Sequence, residues 1–115
     1  MTSDIIIIVL KRFASTKVFN KGITQKLDEK IEIPMKLDIG SREWSGGCSG
    51  RYSLYAASEH IGQYQVLSFG HYVTVAMNME TNQWYRANDD KIVKLPSVSS
   101  ETFEKSYVLF YQKDN

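Results

Sequence analysis

Three polar residues in the second half of the chain have the right chemistry for acid–base catalysis. His71 begins an apolar stretch, and Asn88 and Asp89 follow a second, aromatic stretch. If the two stretches form a hairpin whose turn centres near Glu80, His71 faces Asp89 with Asn88 beside it, and cross-strand Cβ atoms lie roughly 4.5–5.5 Å apart. An amide or carboxylate oxygen there could accept the imidazole N–H and support a positively charged ring. The pattern predicts a base and its orienting group, although a histidine at a strand end is also a common structural residue in β-proteins.

Two other reactive side chains complete the set of candidates. The single cysteine, Cys48, precedes His71 and Asn88 in the order found in papain-like proteases. It lies, however, in a loop rich in glycine and serine, with no predicted helix behind it to stabilise a thiolate. We interpret Cys48 as an incidental loop residue and keep a nucleophilic role as an alternative. His60 has no acidic or cysteine cluster at ligand spacing, so the sequence predicts no metal site and no cofactor.

Composition limits the remaining classes of function. The chain has 115 residues, of which 43% are hydrophobic, and a formal net charge of +1. This balance is typical of one soluble domain or part of one, and it gives no strong field for nucleic acid or an anionic membrane. One cysteine excludes an internal disulfide. The N-terminus has an Asp before a six-residue apolar run and does not resemble a signal peptide, so we expect an intracellular, cytoplasmic or nuclear protein.

The sequence predicts that most of these residues lie in or beside β-strands. Alternating or β-branched runs predict strands, and a Ser-Ser-Glu sequence predicts one short capped helical turn at residues 99–105. The expected fold class is mostly β (α+β), an antiparallel sheet meander with one short helix. The predicted strands are residues 5–10, an irregular one around 17–19 before a turn at 20–22, 31–33 ending at Pro34, 52–57 with Tyr52, Leu54 and Ala56 on one face, 71–77, 83–86 and 107–111.

The first of these strands bears on the question of partners. The run Ile5–Leu10 is nearly all β-branched without polar alternation, which predicts a strand buried on both faces. A strand of this kind aggregates when its edge is exposed. We therefore expect a partner chain or an oligomer to cover it, and a purified chain that is dimeric or poorly soluble. The following pair, Lys11 and Arg12, is interpreted as solvated charge at the strand end.

Short motifs spread along the chain resemble the ubiquitin-specific protease family of cysteine deubiquitinases. Each motif is weak alone, but their order and spacing together match the C-terminal catalytic box of that family, from about Ile6 to Gln112. The motifs are Leu10-Lys11-Arg12-Phe13, Ile33-Pro34, Leu37-Asp38-Ile39, Tyr52-x-Leu54-x-Ala56, His60-x-Gly62, Gly70-His71-Tyr72, Trp84-Tyr85, Asn88-Asp89 and Tyr107-Val108-Leu109-Phe110-Tyr111.

The resemblance implies specific roles. His71 matches the family's general base, Asn88 matches the residue that orients it, and Asp89 matches the acidic residue that often follows. Residues 40–51 and 63–69 look like the two loops that flank the ubiquitin tail. By this resemblance residues 1–115 form a single partial catalytic domain, the C-terminal part of a papain-like fold, with ubiquitin or a ubiquitin-like protein as its partner.

The departures from the family pattern leave three interpretations open. The family's nucleophile belongs to a Gly-Asn-Thr-Cys type of box, and nothing in these 115 residues resembles it. Val75 and Ala87 replace residues that are usually aromatic. The chain could supply the base half of a split deubiquitinase, serve as a non-catalytic ubiquitin-binding or scaffold module, or use Cys48 by itself.

Overall fold

The computed structural model describes residues 4–18, 21–26, 29–40, 50–61 and 71–114, with residues 13–18 and 21–26 described as backbone. Their β-branched and aromatic content favours extended structure. No described segment is a helix of the length and hydropathy needed to cross a membrane. The strands are β1 (Ile5–Val9), β2 (Phe13–Val18), β3 (Lys21–Lys26), β4 (Lys36–Ile39), β5 (Gly50–Ile61), β6 (His71–Asn78), β7 (Gln83–Asn88), β8 (Lys91–Leu95) and β9 (Val108–Lys113), with a short 3₁₀ helix at Ser100–Phe103.

Seven of these strands form one antiparallel sheet. The strand order is β1-β9-β5-β6-β7-β8, β4 also pairs with β5, and β2 and β3 form a separate hairpin. The mostly β, antiparallel fold predicted from the sequence is confirmed. Strands β5 to β8 form the expected meander, but β9 returns across the sheet and inserts between β1 and β5.

Strand β5 has neighbours on both of its edges. One edge pairs with β9, while the other pairs first with β4 and then with β6. A bulge at Tyr55 shifts the register between Leu54 and Ala56. The predicted alternation is correct for Leu54 but wrong for Ala56, because the extra residue turns the following side chains over. Ala57 instead joins the core beside Leu54.

The core lies against one face of the sheet. Phe103, from the 3₁₀ helix, packs there, and the centroid of its ring is 5.4 Å from that of the Trp84 ring. The helix begins where the Ser99 backbone N–H donates to Thr102 Oγ1 at 3.1 Å. Removing such side chains from water stabilises the fold by roughly 1.5–3 kcal/mol each. The buried cluster comprises Ile6, Ile33, Tyr52, Leu54, Ala57, Val75, Phe103, Leu109 and Tyr111.

The segment before β4 differs from expectation. Residues 31–33 are not a strand, and the strand lies after Pro34, at Lys36–Ile39. The Ile31 N–H donates to the Glu104 carbonyl at 2.9 Å, outside any strand ladder. Pro34 has no N–H to donate and so cannot continue a strand that begins before it. Ile33 is nevertheless buried in the core, so its apolar side chain predicted burial correctly.

Strand β1 corrects the prediction of burial on both faces. Its side chains alternate: Ile6 is buried, whereas Ile5, Ile7 and Val9 are 41%, 58% and 56% exposed. In the described part of the chain β1 pairs with β9 only. One face of β1 therefore packs on the core, and its other face presents a row of branched apolar side chains to solvent.

The residue pair after β1 also behaves differently from expectation. Lys11 is exposed, but Arg12 is only 3% exposed. Its guanidinium donates to the carbonyl oxygens of Ser106 at 2.6 Å, Glu29 at 2.6 Å and Glu104 at 2.8 Å. Five donors in a rigid fork suit this task, so Arg12 connects its own segment to residue 29 and to residues 104–106.

We predict that Arg12→Met destabilises the chain by about 3 kcal/mol, because it leaves the buried Ser106 carbonyl and the part-buried Glu29 and Glu104 carbonyls without their charged donor. Lys11→Met is the matched control, and we expect it to change the free energy of unfolding by less than about 0.5 kcal/mol. Urea unfolding followed by circular dichroism measures both variants. Equal stability of the two variants would contradict the structural role of Arg12.

A second prediction concerns alkaline pH. Burial raises the pKa of the Tyr111 phenol to about 12, and its hydroxyl donates to the Pro34 carbonyl at 2.7 Å. Because the folded pKa exceeds the unfolded one, this contribution to stability is complete below about pH 10 and is lost as the pH rises toward about 12. Tyr111→Phe should lower stability at neutral pH by about 1 kcal/mol and flatten its decline above about pH 10. Tyr72→Phe, at an exposed tyrosine, should keep the wild-type slope in urea unfolding across that range.

Candidate active site

His71 is the first residue of β6 and lies at an exposed end of a strand that is otherwise anchored. It pairs with Ile61 of β5. Val73 and Val75 follow on the same face and are buried. Because alternate residues of a strand share a face, these two valines fix the orientation of β6 while the imidazole extends beyond the core. The His71 side chain is 42% exposed.

A tight turn between β7 and β8 supplies the oxygen atoms of the site. Asn88 and Lys91 form the last pair of this hairpin, which leaves Asp89 and Asp90 as the two-residue turn. Asp89 has a φ of +54°. Left-handed backbone is tolerated by Asp and Asn better than by most residues, and hairpins of this length need it at the first turn position. The turn places Asn88 and Asp89 beside the start of β6.

The central contact joins His71 to Asn88. The two atoms, His71 Nε2 and Asn88 Oδ1, lie 2.5 Å apart. Since an amide oxygen only accepts, Nε2 carries the proton and donates it, and Nδ1 is then the nitrogen that can accept a proton from a nucleophile. Asp89 Oδ2 lies 3.7 Å from His71 Nε2, close enough for the carboxylate to attract a positively charged ring. Its side chain is 76% exposed, so solvent screens much of that attraction.

The structure therefore brings the three predicted residues together, although with a different register. Strand β6 pairs Thr74 with Ala87, one residue away from the predicted pairing. Extended to the hairpin's open end, this register puts Asn88 on the same face as His71, as a diagonal neighbour rather than a directly opposite one. Such diagonal pairs lie within reach of longer side chains. Asn88 is thus the hydrogen-bond partner, and Asp89 is the more distant charge.

Strand β8, which defines this turn, is absent from the sequence-based expectations. The signal is present in the sequence, because Asn88, Asp89 and Asp90 form a run of turn-prone residues before the apolar Ile92 and Val93. A run without glycine or proline is a weak turn signal.

Several predicted features lie outside the described residues. These are Cys48 with most of the loop at 40–51, and the loop at 63–69. Among the residues that the structure describes, no group of three or more His, Cys, Asp or Glu side chains could bind a metal ion. His60 lies near the end of β5 as a buried strand residue.

Comparison with known proteins places these observations in a family. The family model described as "Ubiquitin carboxyl-terminal hydrolase" matches residues 3–111, a range that includes the whole site. The chain belongs to the ubiquitin carboxyl-terminal hydrolase family. The predicted resemblance to ubiquitin-specific proteases is confirmed.

Curated ubiquitin carboxyl-terminal hydrolases align along almost the whole chain. Ubiquitin carboxyl-terminal hydrolase 4 of Pongo abelii is 34% identical over 112 residues, which are 95% of this chain and 11% of that protein. Usp2 of Drosophila melanogaster is 30% identical over 111 residues, 94% of this chain and 11% of its own length. The chain therefore spans about a ninth of the length of these relatives.

Solved structures of deubiquitinating modules share the fold. A yeast SAGA module superposes with a TM-score of 0.72 at 29% identity, covering 97% of this chain and 24% of that chain. A SAGA module that contains Ubp8, Sgf11, Sus1 and Sgf73 and is bound to monoubiquitin gives a TM-score of 0.71 at 28% identity, with the same coverage. This ubiquitin carboxyl-terminal hydrolase family member thus matches about a quarter of the length of each of those chains.

We predict that the contact with Asn88, rather than Asp89, fixes the imidazole. In wild type the Nε2–H proton of neutral His71 should give a resolved, hydrogen-bonded NMR resonance at low temperature. Asn88→Ala should abolish this resonance because it removes the only oxygen within hydrogen-bond distance of Nε2 among the described residues.

Asp89→Asn is the matched control, because it changes the neighbouring residue and retains a side chain that tolerates the turn. The resonance should survive in this variant. Its loss in Asp89→Asn together with its survival in Asn88→Ala would reverse the two assignments.

Proposed function

We propose that this chain is the C-terminal part of a cysteine deubiquitinase catalytic domain and supplies the base half of its active site. The observation that carries the proposal is the 2.5 Å contact between His71 Nε2 and Asn88 Oδ1, which leaves Nδ1 as the proton acceptor. A base oriented through its second ring nitrogen is the arrangement that activates a thiol or hydroxyl nucleophile. The nucleophilic cysteine would come from a segment outside these 115 residues.

The proposed mechanism follows from the protonation of the ring. His71 Nδ1 accepts the thiol proton as the sulfur attacks the carbonyl carbon of ubiquitin's last glycine. The imidazolium that forms keeps its hydrogen bond to Asn88 and gains attraction from the Asp89 carboxylate at 3.7 Å. It then donates the proton from Nδ1 to the leaving amine, and the acyl group remains on sulfur until water releases it. Asn88 and Asp89 therefore act on the orientation and charge of the ring.

We also propose that the exposed face of β1 packs against another part of the assembly. Ile5, Ile7 and Val9 form a contiguous apolar row on an edge strand, a surface that proteins usually cover. The solved structures offer two sources of cover, since their matched chains are about four times longer and the modules contain additional subunits. Both sources predict that the exposed face of β1 becomes buried when the rest of the assembly is present.

A chimera tests the proposed function directly. In ubiquitin carboxyl-terminal hydrolase 4, the aligned segment would be replaced by this chain. The chimera should release a fluorophore from the C-terminus of ubiquitin, and it should be monomeric while the chain alone self-associates. His71→Gln should lower kcat by roughly 10²–10⁴-fold because it removes the general base. Asn88→Ala should cause a smaller loss in kcat with little change in KM.

Controls separate loss of chemistry from loss of fold. Glu80→Gln, in the exposed turn at the far end of the same hairpin, should leave kcat unchanged. A folded chimera without hydrolysis would favour the non-catalytic ubiquitin-binding module instead. For the chain alone, a ubiquitin probe with a C-terminal electrophile should give no labelling. Labelling that Cys48→Ser abolishes would instead identify Cys48 as a nucleophile.

A further inference from the structure

The end of β6 that carries His71 has support from one neighbouring strand. The pairing of β6 with β7 extends from Asn78 only to Thr74, whereas the pairing with β5 continues to His71 itself. Within the described residues, positions 71–73 therefore have a backbone partner on the β5 side alone. The orientation of the imidazole depends on how firmly this last part of the β5–β6 ladder is fixed.

An aromatic cluster lies on the opposite face of the same strand end. Tyr72 pairs directly with His60 across the ladder. The centroids of their rings are 5.1 Å apart, with the ring planes at 68°. The centroid of the Tyr107 ring, which lies on the β5 side of Tyr72, is 6.3 Å from that of Tyr72. Edge-to-face and tilted contacts at these separations are attractive and orient the rings.

The paired residues His60 and Tyr72 differ in solvent exposure. His60 is 1% exposed, while Tyr72 is 49% exposed. Burial cannot fix Tyr72, so its position depends on the rings beside it. His60, in contrast, is fixed within the sheet and provides a rigid surface for the Tyr72 ring.

Additional hydrogen bonds tie the same region together. Ser58 Oγ and Thr74 Oγ1 lie 3.0 Å apart across the β5–β6 ladder. The Tyr107 N–H donates to the Ser58 carbonyl at 2.7 Å, which attaches the third ring to β5. The rings and these bonds form one support behind the site.

We infer that His60 is a positioning residue for His71. It acts through Tyr72, whose backbone is joined to that of His71 by one planar peptide unit. When the Tyr72 ring is fixed on one face, the φ and ψ angles at residue 72 are restricted, and the His71 side chain on the other face is directed toward Asn88. The inference rests on the proposed role of His71 as base, and it assigns a function to a histidine outside that site.

The test uses NMR of the full 115-residue chain with labelled histidine. The readout is the Nε2–H resonance of neutral His71 in its contact with Asn88. His60→Ala should abolish this resonance or split it into several conformers. His60→Phe, which restores a ring beneath Tyr72, should recover a single resonance. This rescue distinguishes positioning from a general loss of packing.

Phe110→Ala is the matched control, because it removes a ring of a different pair on the sheet, 6.2 Å from Tyr55. It should leave the His71 resonance unchanged at comparable loss of stability. If His60→Ala does not fold, Tyr72→Leu removes the same ring contacts without altering the buried position. A folded His60→Ala or Tyr72→Leu variant with a wild-type His71 resonance would overturn the inference. This readout needs no hydrolysis. The positioning role of His60 can therefore be contradicted while the chimera is active, and it can be supported while the chimera is inactive.

Discussion

The backbone hydrogen bonding of β5 is the constraint on which the sheet depends. This strand pairs with β9 on one edge and with β4 and β6, end to end, on the other. This twelve-residue strand has three partners, so β4 and β6 must pair with different parts of the same edge. The bulge at Tyr55 lies between these two parts. The bulge sets which residues face the core beyond it, and therefore which face of β6 carries His71.

The site is a consequence of this arrangement combined with a short turn. Strand period places His71 on the core face, because Val73 and Val75 must be buried there. The two-residue connection between β7 and β8 then fixes Asn88 as the last paired residue. Neither element contains the whole site. The contact arises where the open end of one hairpin meets the turn of the next.

Much of the fold could be predicted from the sequence, and the remainder has identifiable physical causes. Alternation at residues 71–77 predicted β6 and its faces, since burial there follows the strand period without interruption. The sequence could not predict that Ala57 rather than Ala56 shares the core face with Leu54, because a bulge leaves no pattern in two small adjacent residues. The failed strand at residues 31–33 shows that a buried Ile33 does not need ladder pairing. Arg12 was misjudged because burial of a guanidinium depends on carbonyl groups from segments distant in sequence.

The hairpin formed by β6 and β7 has two ends with very different tolerance to changes in length. Its connecting turn at residues 79–82 is exposed and lies roughly 26 Å along the strand from His71. Insertions there, including a peptide tag or a fluorescent reporter, extend away from the sheet and leave the pairing upstream intact. A single added residue at Asp89 or Asp90 would instead displace Asn88 from the end of its ladder. We therefore expect variation in length among related chains to accumulate at the first turn and to be excluded from the second.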